Sequence, residues 1–172
     1  MGLMRIKENR IGMVYLLALA TLAGTMSDAS TSKIKWASYK SNLINIQVSV
    51  PSDWTPVKIP KALAFRGDDL SGGTAAIGIL KSEHAGTIEE AADQEFENEG
   101  RPAGWMRSPA RIDGMRAIKI VGLVRNNADR KMVHYYIETP QGNYLVQCQA
   151  TSDRWSTFGP IFATILSKLK FL

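Results

Sequence analysis

Residues 107–150 read RSPARIDGMRAIKIVGLVRNNADRKMVHYYIETPQGNYLVQCQA. Strand-like runs at 107–112, 115–125, 131–139 and 144–150 are separated by Asp113-Gly114, by Asn126-Asn127-Ala128-Asp129 and by Pro140-Gln141-Gly142-Asn143. An Asp-Gly pair between strands is a strong hairpin signal, because both residues tolerate the left-handed backbone of a tight turn. The last run alternates Tyr144, Val146, Cys148 and Ala150 with polar neighbours, as a half-buried strand does. The block therefore predicts an antiparallel meander, and the rest of the chain must cover its faces.

On the amino-terminal side, residues 43–50 alternate just as cleanly. Ile44, Ile46, Val48 and Val50 fall on one side, and Asn45, Gln47 and Ser49 on the other. A strand at 33–40 precedes it, with Lys40-Ser41-Asn42 as the hairpin turn, and Pro51-Ser52-Asp53-Trp54 turns the chain afterwards. Residues 62–66 and 74–81 add two strands around the loop Asp68-Asp69-Leu70-Ser71-Gly72-Gly73. Thr87-Ile88-Glu89-Glu90 is a capping box, and Ile88, Ala91, Ala92 and Phe96 make the apolar stripe of the helix it starts. Gly100 and Pro102 end that helix. A closing helix carries Trp155, Phe158, Phe162, Ile165, Leu166 and Leu169. It tolerates Pro160 if it begins near Ser156 or Thr157, since first-turn amides lack helical partners. Phe171-Leu172 are expected to pack back on the body. Two amphipathic helices against an antiparallel sheet make an α+β domain.

The first 29 residues have the three-part layout of a secretory signal peptide. Arg5, Lys7 and Arg10 are basic, residues 11–24 are apolar, and Ser27-Asp28-Ala29 offers a cleavage site near Ala29. The alternative is an uncleaved amino-terminal anchor. Fourteen helical residues span only about 21 Å, however, and a bilayer core needs roughly 20 residues. The expected organisation is a signal peptide at 1–29, a tether and first strand at 30–42, and one domain at 43–172. The chain is expected to be exported to the periplasm or the extracellular space, soluble, with no membrane span after signal removal.

The remaining composition excludes more than it assigns. Cys148 is the only cysteine, so no internal disulfide forms, and its place in an apolar alternation reads as a small buried hydrophobe. The net charge of +5 is mild for a nucleic-acid binder, and no nucleic-acid partner is expected. Acids gather at Glu83, Glu89, Glu90, Asp93, Glu95, Glu97 and Glu99, bases at Arg101, Arg107, Arg111, Arg116, Lys119, Arg125, Arg130 and Lys131. One reading is a solvated helix face beside solvated strand edges. The other is a docking surface made by Arg101, Arg107, Arg111 and Arg116, which would steer an acidic partner.

No catalytic constellation is present. There is no strained serine elbow, no phosphate-cradling Gly-Lys-Ser/Thr loop, no paired-cysteine or H-E-x-x-H zinc spacing, and no EF-hand order of acids. No cofactor and no metal are expected. Trp36, Trp54, Trp105 and Trp155 read as core anchors. His84 and His134 read as an exposed loop histidine and a strand residue paired across the sheet. With Glu83 they are also the residues that a small-molecule or metal carrier would use.

Four segments in order resemble the PsbP-like group, whose fold is shared with the Ran-binding Mog proteins and with exported bacterial proteins. These are Ile46-Gln47-Val48-Ser49-Val50-Pro51-Ser52-Asp53-Trp54, the helix opening Thr87-Ile88-Glu89-Glu90, the turn Ile112-Asp113-Gly114-Met115-Arg116-Ala117, and Gly142-Asn143-Tyr144-Leu145-Val146-Gln147-Cys148 with the closing helix through Ile165-Leu166-Ser167-Lys168-Leu169-Lys170-Phe171. The resemblance spans residues 43–171. It implies a central antiparallel sheet flanked by helices, an α/β/α sandwich, and a non-enzymatic accessory role through docking on an envelope protein. The chain departs from the Ran-binding relatives, which lack an export signal. Shared fold does not by itself transfer function.

Overall fold

The computed structural model describes residues 34–68, 74–83, 86–98, 104–124 and 127–172. The segments expected to be the signal peptide and its cleavage site lie outside them, as do the helix stop at Gly100 and Pro102 and most of the loop after Asp68. The elements are β1 (Trp36–Ser41), β2 (Ile46–Pro51), β3 (Thr55–Val57), β4 (Ala62–Asp68), β5 (Thr74–Lys81), α1 (Ile88–Asn98), β6 (Met106–Ile112), β7 (Met115–Val124), β8 (Asn127–Thr139), β9 (Gly142–Thr151), α2 (Trp155–Ser167) and β10 (Lys170–Phe171).

Seven strands form one antiparallel sheet in the order β3-β4-β5-β9-β8-β7-β6. The meander read from residues 107–150 is its right half. Asp113 and Gly114 take φ of 51° and 78°, the double left-handed turn expected of Asp-Gly, and Ile112 pairs with Met115 across it. β1, β2 and β10 form a second, three-stranded sheet. The last residues do pack back: β10 pairs with β2, and Leu172 N–H donates to Asn45 O at 2.9 Å.

Alternation sorts the side chains of the large sheet onto two faces. On one face Phe65, Ile77, Ile79, Ala117, Val133, Ile137, Tyr144, Val146 and Cys148 meet Ile44, Ile46, Val48 and Val50 of the small sheet and Phe158, Phe162, Ile165 and Leu166 of α2. On the other face Ile118, Ile120 and Tyr136 meet Ile88, Ala91 and Ala92 of α1. The fold is thus an α+β sandwich, with α1 on one side and α2 plus the small sheet on the other. Burial pushes the Cys148 thiol well above its ordinary pKa, as expected of a packed thiol.

The capping box closes in both directions: Glu90 N–H donates to Thr87 Oγ1 at 3.2 Å, and Thr87 N–H to Glu90 Oε2 at 2.9 Å. Elsewhere the boundaries move. The first hairpin turn falls at residues 42–45 instead of 40–42, and Ile44 within it is buried. β8 begins at Asn127, inside the stretch read as a loop, and a register irregularity at Leu123/Val124 absorbs the mismatch. The strand β3 was not signalled by its three residues. α2 begins at Trp155, so Pro160 sits inside the helix. Pro160 is exposed and its O accepts from Thr164 Oγ1 at 3.0 Å.

Candidate docking edge and groove

The acidic run and the basic run, separate in sequence, meet in space over the α1 face. Arg107 forms an ion pair with Asp93. Arg116 bridges Glu89 of α1 and Glu138 of β8: Nη1 pairs with Glu89 Oε1, Nη2 donates to Glu89 Oε2 at 3.1 Å, and Nε to Glu138 Oε2 at 2.9 Å. The Arg116 guanidinium holds the Glu89 carboxyl below its ordinary range. Arg111 stands opposite Arg116 in the β6–β7 register. It donates to Gly114 O at 3.0 Å and has no acidic partner among the described residues. Arg101 lies outside the described residues.

His84 lies outside the described residues, Glu83 pairs with Lys61 at 3.0 Å, and His134 faces α1. There His134 Nδ1 is 2.5 Å from Glu95 Oε1, and Tyr136 O–H donates to Glu95 Oε2 at 2.8 Å. This network ties α1 to β8, and burial beside the Glu95 carboxylate drives the Tyr136 hydroxyl pKa upward. Among the described residues no three His, Cys, Asp or Glu side chains gather as a metal site.

On the opposite face α2 and the small sheet bury Ala117, Val133 and Ile137 but leave Lys119 and Tyr135 partly exposed. A groove runs there along the flank of α2. One compartment, about 400 Å³, is lined by Lys119, Val133, Tyr135, Trp155, Phe162 and Leu166 among others. The next, about 480 Å³, shares Lys119, Tyr135, Ala163 and Leu166 and extends to Ser108, Ala110 and Asp113. The space exists because α2 turns Gly159 and Ala163 toward it, side chains too small to reach the strands. The Lys119 ammonium lies 6.0 Å from the Tyr135 ring centroid, and the Lys131 ammonium 5.1 Å from the ring of Trp155. Burial pushes the Tyr135 hydroxyl up to about 12, so it is a neutral hydrogen-bond donor at physiological pH. Asp113 is the acid at this rim, and it is already engaged by Lys170 Nζ at 2.5 Å and Phe171 N–H at 3.2 Å.

Beyond the groove the same face exposes Met106 and Leu123, 63% and 49% accessible. Met106 pairs with Val121, and Leu123 is two residues further along β7. β6 ends the sheet, and its outer edge has no paired strand among the described residues. Pro109 within it lacks an N–H to offer an added strand, a common guard on exposed edges.

Sequence reasoning named the arginines and missed this groove. A signal was present. Lys119 lies in the row Ala117, Lys119, Val121, which alternation aims at the core, and a cation in a core-facing row marks a place where the core is open.

No protein-family model matches the chain, and no curated protein does. Among solved structures, the cyanobacterial PsbP (CyanoP) of Synechocystis sp. PCC 6803 aligns over 86% of this chain and 98% of its own, with a TM-score of 0.55 and 17% identity. The chain has the PsbP fold. LpqN of Mycobacterium tuberculosis, described as involved in cell envelope biogenesis, aligns over 80% of this chain and 90% of its own with a TM-score of 0.49 and 17% identity. The Saccharomyces cerevisiae Ran-binding protein Mog1p aligns over 81% and 96% with a TM-score of 0.49 and 8% identity. No helix of the described residues is long and apolar enough to cross a membrane.

Proposed function

We propose that this PsbP-fold chain is an exported, non-enzymatic accessory protein that docks on an acidic surface of another cell-envelope protein. The observation that carries the reading is Met106 of the edge strand and Leu123 of its neighbour, two large apolar side chains exposed on one face near the end of the sheet. Single exposed hydrophobes are ordinary, whereas adjacent ones ringed by polar groups mark contact sites. Lys119 and Lys131 on the same face supply positive charge beside them, while Arg111 stands with Arg116 on the α1 side at the hairpin end. Of the four arginines read from sequence, Arg111 has no acidic partner among the described residues and acts only by long-range steering from the hairpin end. Arg107 and Arg116 hold α1 against the sheet that presents the edge. The amino-terminal leader supports export of the domain.

The test is affinity capture from envelope fractions of the native host, followed by direct binding to the recovered partner. Met106→Asp with Leu123→Asp should abolish binding, and Arg111→Glu should slow association in a salt-dependent way. A partner that binds the double variant as tightly as the wild type would refute the assignment.

A further inference from the structure

We propose that the groove between α2 and β6–β7–β8 binds a small amphiphilic carboxylate, with Lys119 pairing the carboxylate and Val133, Phe162 and Leu166 receiving the apolar tail. This goes beyond the docking reading and stands or falls separately from it. Lys119 is placed where the two compartments join, half-buried, and it has no acidic partner among the described residues. A half-buried ammonium lacking an acid is an unusual arrangement, because desolvated charge is costly unless paired. The neighbouring Asp113 does not neutralise it, being held by Lys170 and the Phe171 N–H. Around the cation the walls are apolar: Val133, Phe162 and Leu166 are buried side chains of the floor and of α2. Tyr135, with its pKa pushed up to about 12, stays protonated and offers a second donor beside Lys119. Each compartment is within the 300–1,000 Å³ typical of small-molecule sites. One charge-matched donor pair at the head and an apolar trough beyond it select an anion with a tail. A bare phosphate would leave the trough unfilled, and a neutral lipid would leave the ammonium unpaired.

The test uses the purified full chain, titrated with octanoate and separately with 1-octanol, followed by calorimetry and backbone amide shifts. Octanoate should bind one to one, with shifts confined to the residues lining the groove. 1-Octanol should bind roughly tenfold more weakly, the worth of one charge-assisted hydrogen bond. Lys119→Met should erase the difference between the two ligands. Ala163→Trp, at an exposed position of α2 where the added ring fills the groove, should abolish both. Equal binding of octanoate and octanol by the wild type, shifts centred elsewhere, or no octanoate binding at millimolar concentration would each overturn the proposal. So would binding of an acidic amphipathic peptide by a chain silent to octanoate, which would return the groove to protein docking. Because Met106 and Leu123 lie outside the lining, their double variant should keep octanoate binding intact.

Discussion

Gly67→Ala is the sharpest test of how this sequence holds α2, the wall of the groove, in place. Gly67 lies on β4 under the indole of Trp54. A Cβ there would stand 2.2 Å from Trp54 Cε2 and Nε1 and 2.7 Å from Cδ1. Carbon atoms pack at about 3.5–4.0 Å, so the ring must withdraw by about 1.3 Å or more. It has nowhere free to go. Trp54 is 5% exposed, and its ring meets Phe158 and Phe162 of α2 edge-on, at centroid distances of 6.3 and 5.8 Å. Overpacking of this kind costs typically 1–3 kcal/mol. The clash involves a rigid ring in a closed core, which places the cost near about 3 kcal/mol. For a domain of this size each kcal/mol moves Tm by roughly 2–4 °C, so a fall of about 6–12 °C is expected.

Gly78→Ala is the matched control. Gly78 is on the next strand, and a Cβ there meets nothing within 4 Å. Ala in a strand interior should stabilise by about 0.5–1 kcal/mol through lost unfolded-state entropy. Thermal and urea melts of the two variants against wild type decide the matter. A Gly67→Ala protein within about 0.5 kcal/mol of wild type would show that the Trp54 cradle is not tight, and the account of α2 placement would fall with it.

Other outcomes follow from the same contacts. Glu95→Leu strands the His134 ring and the Tyr136 hydroxyl in a part-buried site, and should lower stability by about 1–3 kcal/mol in urea unfolding; a neutral result would mean that the network contributes nothing net. The Lys170 ammonium holds the Asp113 carboxyl below its ordinary 3.8, against an opposing push from burial. The unfolded chain therefore takes up that proton first as pH falls, so the stability Asp113 contributes is complete above the unfolded value and drains away below about 3.8. Melts of wild type and Asp113→Asn should differ by a constant gap at neutral pH that narrows under acid; a gap that widens would reverse the assignment. Arg130 is half-buried, its Nε and the Thr151 hydroxyl have no hydrogen-bond partner among the described residues, and burial with Arg66 nearby lowers its pKa. Arg130→Met should accordingly be neutral or stabilising by up to about 2 kcal/mol by thermal melt, and a clear loss would reveal a partner for that guanidinium. Cys148, fully enclosed, should react with a thiol reagent only as fast as the chain unfolds, which a urea series of labelling rates measures.

Local chemistry was legible in the sequence wherever the deciding groups are neighbours in the chain. Asp113-Gly114 names its own turn, Thr87 and Glu90 name their own cap, and the period-two rows of 43–50 and 144–150 state which face is buried. What failed were features set by distant partners. β3 is three residues long, too short for any period, and exists because Pro56 and its neighbours lie beside β4. β8 starts early because Asn127 pairs with Val124 of β7 across the register irregularity, before β9 joins at Arg130. Pro160 is accepted inside α2 because its side of the helix faces solvent. The groove was only half legible for the same reason: Lys119 in a core-facing row marks it, but its other wall is Gly159 and Ala163 of α2, some forty residues downstream.

The charge pattern shows how a correct sequence observation acquires its meaning only from topology. Segregated acids at 83–99 and bases at 101–131 suggest a bipolar surface. Folding instead lays α1 across β7 and β8, so Asp93 and Glu89 meet Arg107 and Arg116 in ion pairs on one face. Of the bases in that run without an acidic partner among the described residues, alternation sends Lys119 and Lys131 to the other face, while Arg111 and Arg130 stay on the α1 side. Surface pairs of the first kind contribute little binding energy and little net stability. A cation such as Lys119, set among apolar side chains where water is partly excluded, interacts more strongly with whatever anion reaches it. Lys119 and Lys131 thus set two cations without acidic partners among the described residues on the groove side. Ligand and protein partner would both approach that side, and occupancy of the groove would change the charge that the neighbouring edge of Met106 and Leu123 presents.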